Sequence, residues 1–145
     1  MARDSEVYFD FERLDVYGRS IEFADSIFNI CNDFESSYKS SIADQLRRAV
    51  LSISTNIAEG CGKRSRRERI KYFSYALDSA RECIPCLTLA HRQRQLSDEQ
   101  NNRTREECTV ICRMLCKLIY FIENQELGKT ATSRESKKGF NTGRL

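Results

Sequence analysis

The sequence is poor in proline, glycine and histidine, and it has no tryptophan. It holds one proline and six glycines in 145 residues, of which 40% are hydrophobic and 31% charged. So few turn-forming residues favour an all-helical protein over a sheet with many turns. No run of eighteen apolar residues occurs, so we expect no membrane-spanning helix, no membrane partner and a cytoplasmic location.

The single histidine limits the catalytic sites that the chain can build. A nucleophilic triad would have to use His91, and no partner for it is evident in the sequence. The loop Gly60-Cys-Gly-Lys63 lacks the glycine spacing and the preceding strand of a nucleotide-binding loop. We therefore predict no catalytic residues and no enzymatic activity.

The cysteines are an odd number and mostly occupy apolar helical positions, which argues against an extracellular disulfide framework. The seven are Cys31, Cys61, Cys83, Cys86, Cys108, Cys112 and Cys116. The pair Cys83 and Cys86 has redox-motif spacing but falls in the middle of a helical segment, where no helix dipole lowers a thiol pKa. The three cysteines that recur every four residues from Cys108 could approach this pair as metal ligands. Because the spacing is not that of a compact zinc module, we predict core packing with no metal and no cofactor, and keep a thiol-metal or redox protein as a third functional class.

Apolar residues recur every three or four positions in four segments, which predicts four amphipathic helices. Helix one carries two adjacent apolar rows. The row that we take as the buried seam contains Leu14, Tyr17, Ile21, Ala24, Phe28 and Cys31. The second row, which we expect to make contacts beyond one bundle, contains Val16, Phe23, Ile27, Ile30 and Phe34.

Helices two and three are separated by a short turn. Helix two follows an apolar row that starts at Ile42, and we expect it to stop at Gly60, a residue suited to a left-handed C-cap. Ser65 and Glu68 have the spacing of a capping box, so helix three should begin there and continue to about Gln95.

A second capping box, Ser97 with Gln100, begins helix four, which should end near Gly128. Four such segments joined by short connections predict an all-α, up-down-up-down bundle with long antiparallel helices over residues 1–128. Residues 129–145 lack periodicity and are predicted to form a disordered tail.

Positive charge is concentrated in one part of the chain. Residues 1–46 hold four Lys and Arg against ten Asp and Glu, whereas residues 47–71 hold eight against two. Cations at a helix start oppose the positive end of the helix dipole, so helix stability does not explain them. We name residues 63–71 the basic turn. Its candidate nucleic-acid-binding residues are Lys63, Arg64, Arg66, Arg67, Arg69 and Lys71.

The basic turn has two interpretations. Free amides at a helix N-terminus and the planar fork of arginine both suit phosphate oxygens, and Tyr72 and Tyr75 offer stacking platforms. The alternative is a solvated surface in which Glu68 is the local counter-charge.

Two polar residues near the end of helix two have structural interpretations. Asn56 falls on the apolar row, so we expect its amide to make an interhelical hydrogen bond that fixes register. We expect Glu59 to pair with Arg47 or Arg48 of a neighbouring turn or subunit.

These motifs together resemble a known family over about residues 9–127. They are Phe11-Glu-Arg-Leu-Asp-Val-Tyr17, Asp44-Gln-Leu-Arg-Arg-Ala49, Ser52-Ile-Ser-Thr-Asn-Ile-Ala-Glu-Gly60, and Ser65-Arg-Arg-Glu68 followed by Phe73. The set is similar to the four-helix-bundle family of proteins encoded within intervening sequences of bacterial 23S rRNA genes. The resemblance implies a bundle that associates into rings and has no known catalytic activity. It implies pentamers by analogy with related accessory proteins of diversity-generating retroelements, whose partners are nucleic acid and a reverse transcriptase.

The sequence thus leads to one main functional prediction. We expect a non-enzymatic, homo-oligomeric helical bundle that binds nucleic acid through the turn between helices two and three. RNA or a ribonucleoprotein is the favoured partner, and DNA is the less favoured one. The alternative is a protein-protein interaction scaffold without nucleic acid binding, which would dock a partner through the wide apolar face of helix one.

Overall fold

The computed structural model describes residues 9–138, with side chains as far as Gln125, and four long helices occupy most of this range. They are α1 (Asp15–Asn32), α2 (Asp44–Cys61), α3 (Arg66–Arg92) and α4 (Asp98–Lys138). Within the described range no strand is present.

Short helical turns precede the first two long helices. A 3-10 turn, Asp10–Arg13, leads into α1. Between α1 and α2, a single helical turn at Ser36–Tyr38 is followed by a π-helical turn at Lys39–Ala43.

Each long helix packs against its sequence neighbour, and α1 also contacts α4. Short connections make neighbours antiparallel, so the arrangement is an up-down-up-down four-helix bundle. The predicted fold class is therefore confirmed. None of the helices described between residues 9 and 138 has the length and apolarity needed to span a bilayer.

The buried face of α1 differs from the predicted seam. Val16, Phe23 and Ile27 are buried, whereas Ile21 is 42% and Phe28 is 39% exposed. Of the predicted seam, Ala24 and Cys31 are buried as well. Adjacent rows on a helix lie about 100° apart, and the buried arc of α1, which faces both α2 and α4, takes in one whole row and only the near side of the other. The row expected to reach beyond the bundle forms the core, and part of the predicted seam lies outside.

Both predicted N-caps are present, but the box at Ser65 forms only its serine half. Ser65 Oγ accepts a hydrogen bond from the Glu68 amide at 3.1 Å. At the start of α4 the box is complete, since Ser97 and Gln100 bond each other's amides at 3.0 and 3.1 Å. These local rules placed both helix starts correctly.

The helix ends differ more from prediction. The helix predicted to reach about Gln95 ends at Arg92, because Arg94 adopts a positive φ of 60° and turns the chain toward α4. In contrast, α4 continues past Gly128 to Lys138, since one glycine costs a helix only about 1 kcal/mol. The last part of the predicted tail, residues 139–145, lies outside the described residues.

The predicted left-handed cap at Gly60 is wrong. Helix α2 passes through Gly60 and ends at Cys61, and the capping residue Gly62 has a right-handed φ of −79°. Gly60 is buried instead against the ring of Phe73, which leaves no room for a side chain at this position.

Candidate nucleic-acid interface

The basic turn connects two helix ends at one end of the bundle. Helix α2 ends at Cys61 and α3 begins at Arg66, with Ser65 capping α3. The 3-10 turn Asp10–Arg13 packs against α2 at the same end, since α1 begins where its antiparallel partner α2 ends. The turn is therefore held by three elements.

The six predicted cations differ in exposure. Arg64, Arg67 and Lys71 are exposed, whereas the other three are half-buried. The three half-buried cations are Lys63, Arg66 and Arg69. Exposed guanidinium and ammonium groups at a helix start are the groups that an approaching anion meets first.

Lys63 has a carboxylate partner. Its Nζ lies 3.7 Å from Glu59 Oε2, one helical turn earlier. The expected pairing of Glu59 with Arg47 or Arg48 is wrong within this chain. Arg47 instead bonds Asp44 at 3.3 Å, because about 18 Å of helix separates it from Glu59.

Arg69 points inward and shapes the turn. Its Nη2 donates to the Arg64 carbonyl at 3.4 Å, and its Nε is buried without a hydrogen-bond partner. Burial raises the pKa of the nearby Cys61 thiol, and the Arg69 charge opposes that rise. Arg69 thus holds the loop, whereas Arg64 and Arg67 face solvent.

Two lysines and two tyrosines form a cation-aromatic cluster beside the turn. Lys63 Nζ lies 4.9 Å from the centroid of the Tyr72 ring, and Lys71 Nζ lies 6.0 Å from it. Lys71 Nζ is also 5.8 Å from the Tyr75 ring, and the two rings meet edge to face at 5.7 Å. Such cation-π contacts orient the lysines without neutralising their charge.

Asn56 has a different partner from the one predicted. Its Nδ2 donates to the carbonyl and to the Oγ of Ser52, at 2.8 and 3.0 Å, on its own helix. Ser79 Oγ of α3 donates to Ser52 Oγ at 2.9 Å. The prediction of a direct interhelical bond from Asn56 is therefore wrong. The half-buried Asn56 bonds one turn back on α2 rather than across to α3, and Ser52 connects it to Ser79 of α3.

Three of the cysteines converge between α3 and α4. Cys83 and Cys112 both act on the pKa of Cys108, and Cys108 Sγ donates to the Ala80 carbonyl at 3.0 Å. Cys116 is exposed. Within the described part of the chain, no group of three ligating side chains could hold a metal ion.

The chemistry of these thiols is that of buried packing groups. Cys112 lowers the pKa of Cys108, but Cys83 and burial outweigh that effect and raise the pKa to about 12. The nearby Cys108, and then burial, raises the pKa of Cys112. Since the thiolate is the nucleophilic and ligating form, this environment does not activate them.

Tyr120 on α4 is an exposed aromatic that the sequence motifs did not indicate. It is 69% exposed, the most exposed large hydrophobic side chain among the described residues, and Phe121 is 59% exposed. The apolar pattern of α4 does indicate that Tyr120 is exposed. Tyr120 falls midway between the inward positions Leu118 and Ile122, where a helix turns its side chains to solvent.

A solved structure has the same fold as this chain. It is a protein of unknown function from the S23 ribosomal protein family of Bacteroides thetaiotaomicron, with a TM-score of 0.68 and 29% sequence identity. The match covers 72% of this chain and 95% of that one. No curated protein matches the chain.

The family comparison confirms the family resemblance that the sequence motifs indicated. The model of the 23S rRNA-intervening sequence protein family matches residues 12–117, which include α1 to α3, the basic turn and the first half of α4. This range is well over half of the chain. The protein therefore belongs to the 23S rRNA-intervening sequence protein family.

Proposed function

We propose that this protein is a non-enzymatic, cytoplasmic, homo-oligomeric bundle that binds nucleic acid, RNA in particular, through phosphates at the basic turn. The observation that carries the proposal is the exposure of Arg64, Arg67 and Lys71 at the start of the 27-residue helix α3. These cations oppose the dipole of that helix, so an anion that binds there relieves their repulsion. The family's link to 23S rRNA intervening sequences supports RNA as the partner.

The chemistry of the turn suits phosphates rather than base edges. Arg64 and Arg67 carry guanidinium forks that match two phosphate oxygens, and both lie at a helix N-terminus, which attracts anions. Contacts of this kind fix the position of a nucleic acid without reading its sequence. Lys63 contributes less, because Glu59 already screens it.

The proposal is tested by the salt dependence of RNA affinity. Fluorescence anisotropy with a labelled RNA of about 20 nucleotides would be measured across a range of salt concentrations for the protein and for the Arg64→Ala, Arg67→Ala double variant. Losing two phosphate contacts should reduce the slope of log affinity against log salt by about 1.4 for a single strand.

The matched control removes two exposed arginines from the opposite end of the bundle. The double variant Arg92→Ala, Arg103→Ala changes the net charge equally, but both residues lie where α3 ends and α4 begins. This control variant should keep the wild-type slope of log affinity against log salt. Equal slopes for all three proteins, or equal losses in both variants, would contradict binding at the basic turn.

Self-association is the second part of the proposal. Ile21 and Phe28 on α1 and Leu51 on α2 are exposed apolar side chains. Arg47, one turn from Leu51, lies 6.0 Å from the centroid of the Phe28 ring, so these residues form one surface across α1 and α2. A closed ring, a pentamer in the family analogy, would repeat the basic turn around an axis and strengthen its field.

The same surface favours a second candidate function, a protein-interaction scaffold without nucleic acid. Its partner would be another protein, such as a reverse transcriptase, docked over the apolar row of α1 and α2. The nucleic-acid content of the purified particle separates the two candidates. A nucleic-acid-free particle that binds no RNA and captures a protein through Leu51 would favour the scaffold.

A further inference from the structure

Exposed aromatic rings lie beside the exposed cations of α3. Tyr75 is 44% exposed, and Lys71 Nζ stands 5.8 Å from the centroid of its ring. Arg67 is one turn before Lys71 on the outer side of the same helix. The first turns of α3 thus present both a flat apolar ring and positive charge to solvent.

The register between α3 and α4 brings Tyr120 to the same level. Cys108 Sγ of α4 lies 3.0 Å from the Ala80 carbonyl of α3. Because the helices are antiparallel, the twelve residues from Cys108 to Tyr120, about 18 Å, correspond to twelve residues back from Ala80. That step reaches Glu68, in the first turn of α3 and inside the basic turn.

Tyr120 also lies on the outer edge of α4, on the side of α3 rather than of α1. It follows Cys112 and Cys116 at four-residue intervals, and each interval turns the row by about 40°, so Tyr120 points about 80° further outward than Cys112. Cys112 marks the α3 side of that row, because the Arg81 guanidinium of α3 acts to lower the pKa of its thiol. Phe121 is rotated about 100° from Tyr120, away from this edge.

We infer that the nucleic acid at the basic turn is single-stranded, with unpaired bases stacked on Tyr75 and Tyr120. The inference rests on the proposed function, to which it adds the class of nucleic acid. Aromatic rings interleaved with cations bind single strands because every unpaired base has a free face, whereas the bases of a duplex are already stacked on one another. Lys71 and Arg67 then hold the phosphates between the stacked bases.

The experiment compares an unstructured RNA of about 20 nucleotides with a duplex and with an abasic strand of equal phosphate number. Anisotropy would be measured for the protein and for the Tyr75→Leu, Tyr120→Leu double variant, which keeps apolar bulk and loses both ring faces. We expect a loss of at least about tenfold in single-strand affinity, with duplex and abasic affinities unchanged. The control Phe121→Leu removes an exposed ring from the other edge and should bind as the wild type does.

A second variant and a folding control separate stacking from structural damage. Tyr120→Phe keeps the ring and should retain single-strand affinity, and thermal melts followed by circular dichroism would establish that every variant is folded. Equal affinity of the wild type for single strand and duplex would overturn the stacking inference and leave phosphate binding standing. Parallel losses for single strand and duplex in the tyrosine variant would also overturn it. Binding of neither nucleic acid would overturn the proposed function together with the inference.

Discussion

The backbone of Gly60 on α2 lies directly against the ring of Phe73 on α3. A β-carbon at residue 60 would sit 2.8 Å from Cε1 of that ring, and Phe73 is only 3% exposed. Because glycine has no β-carbon, the end of α2 approaches the start of α3 as closely as backbone and ring allow. The position of the basic turn depends on this approach.

Replacing Gly60 by Ala should destabilise the bundle by about 1–2 kcal/mol. The methyl group must displace a buried ring, which costs about 1–3 kcal/mol, and the better helix propensity of alanine offsets up to about 1 kcal/mol. The free energy of unfolding in urea would measure the change. Gly18→Ala is the matched control, because nothing lies within 4 Å of a β-carbon there, and it should stabilise α1 by about 0.5–1 kcal/mol.

A second substitution tests whether the ring causes the loss. Phe73→Leu removes ring atoms from the place that the added methyl group would occupy, so Gly60→Ala should cost less in that background than in the wild type. A Gly60→Ala variant as stable as Gly18→Ala, or one whose cost is the same in both backgrounds, would contradict a steric role for this glycine.

The hydrogen-bond relay from Asn56 through Ser52 to Ser79 leads to a prediction about the free energy of unfolding. Ser79→Ala should lower the free energy of unfolding by about 1 kcal/mol, because it removes the hydroxyl that donates across the α2-α3 interface. Ser74→Ala, a half-buried serine on the same helix, should leave stability unchanged or slightly higher through helix propensity. A double-mutant cycle that combines Ser79→Ala with Asn56→Ala, measured by urea unfolding, should show coupling between the two substitutions. Strictly additive losses of unfolding free energy would mean that Ser52 does not connect Asn56 to Ser79.

The elements that local chemistry determines were predictable from sequence. Both caps, at Ser65 and Ser97, rest on contacts within four residues, and both helix starts agree with the structure. The role of Gly60 was not predictable, because it depends on the position of Phe73 on another helix. Likewise, two apolar rows on α1 were visible, but the choice between them depends on where α2 and α4 pack.

The candidate site also combines features that the sequence predicts with features that only packing determines. The cluster of cations is a property of the sequence, whereas the inward turn of Arg69 toward the Arg64 carbonyl is set by packing. Tyr120 lies 49 positions after Lys71 in the chain, and only the α3-α4 register brings it to the level of the basic turn.

The buried thiols predict a loss of stability in alkali. Burial raises the pKa of Cys31 from 9.0 to about 11, against the opposing charge of Arg47. The pKa of Cys108 is lowered by Cys112 but raised more by Cys83 and by burial, to about 12. The folded state therefore favours the protonated thiols. Their contribution is complete below pH 9 and is lost as pH rises through 9 toward about 11 to 12.

Urea unfolding at intervals from about pH 8 to about pH 11, in reducing buffer, would test this. The free energy of unfolding should fall above about pH 9 in the wild type and fall less steeply in Cys108→Ala, which has one thiol fewer to ionise. Cys116 is exposed, so Cys116→Ala should follow the wild-type curve. Parallel curves for all three proteins would show that Cys108 ionisation is not linked to unfolding.

The surface across α1 and α2 predicts the outcome of a charge substitution at Leu51. This side chain is 57% exposed, and burying a carboxylate in an apolar interface without a partner is costly. Light scattering should therefore give a multiple of the 16.9 kDa chain mass for the wild type and a monomer for Leu51→Glu. Leu89→Glu, at a leucine 47% exposed on α3, should keep the wild-type mass.

RNA affinity should fall with the mass, since a monomer presents one basic turn rather than several. A wild-type mass equal to that of a single chain, or Leu89→Glu dissociating while Leu51→Glu remains assembled, would place self-association elsewhere or exclude it.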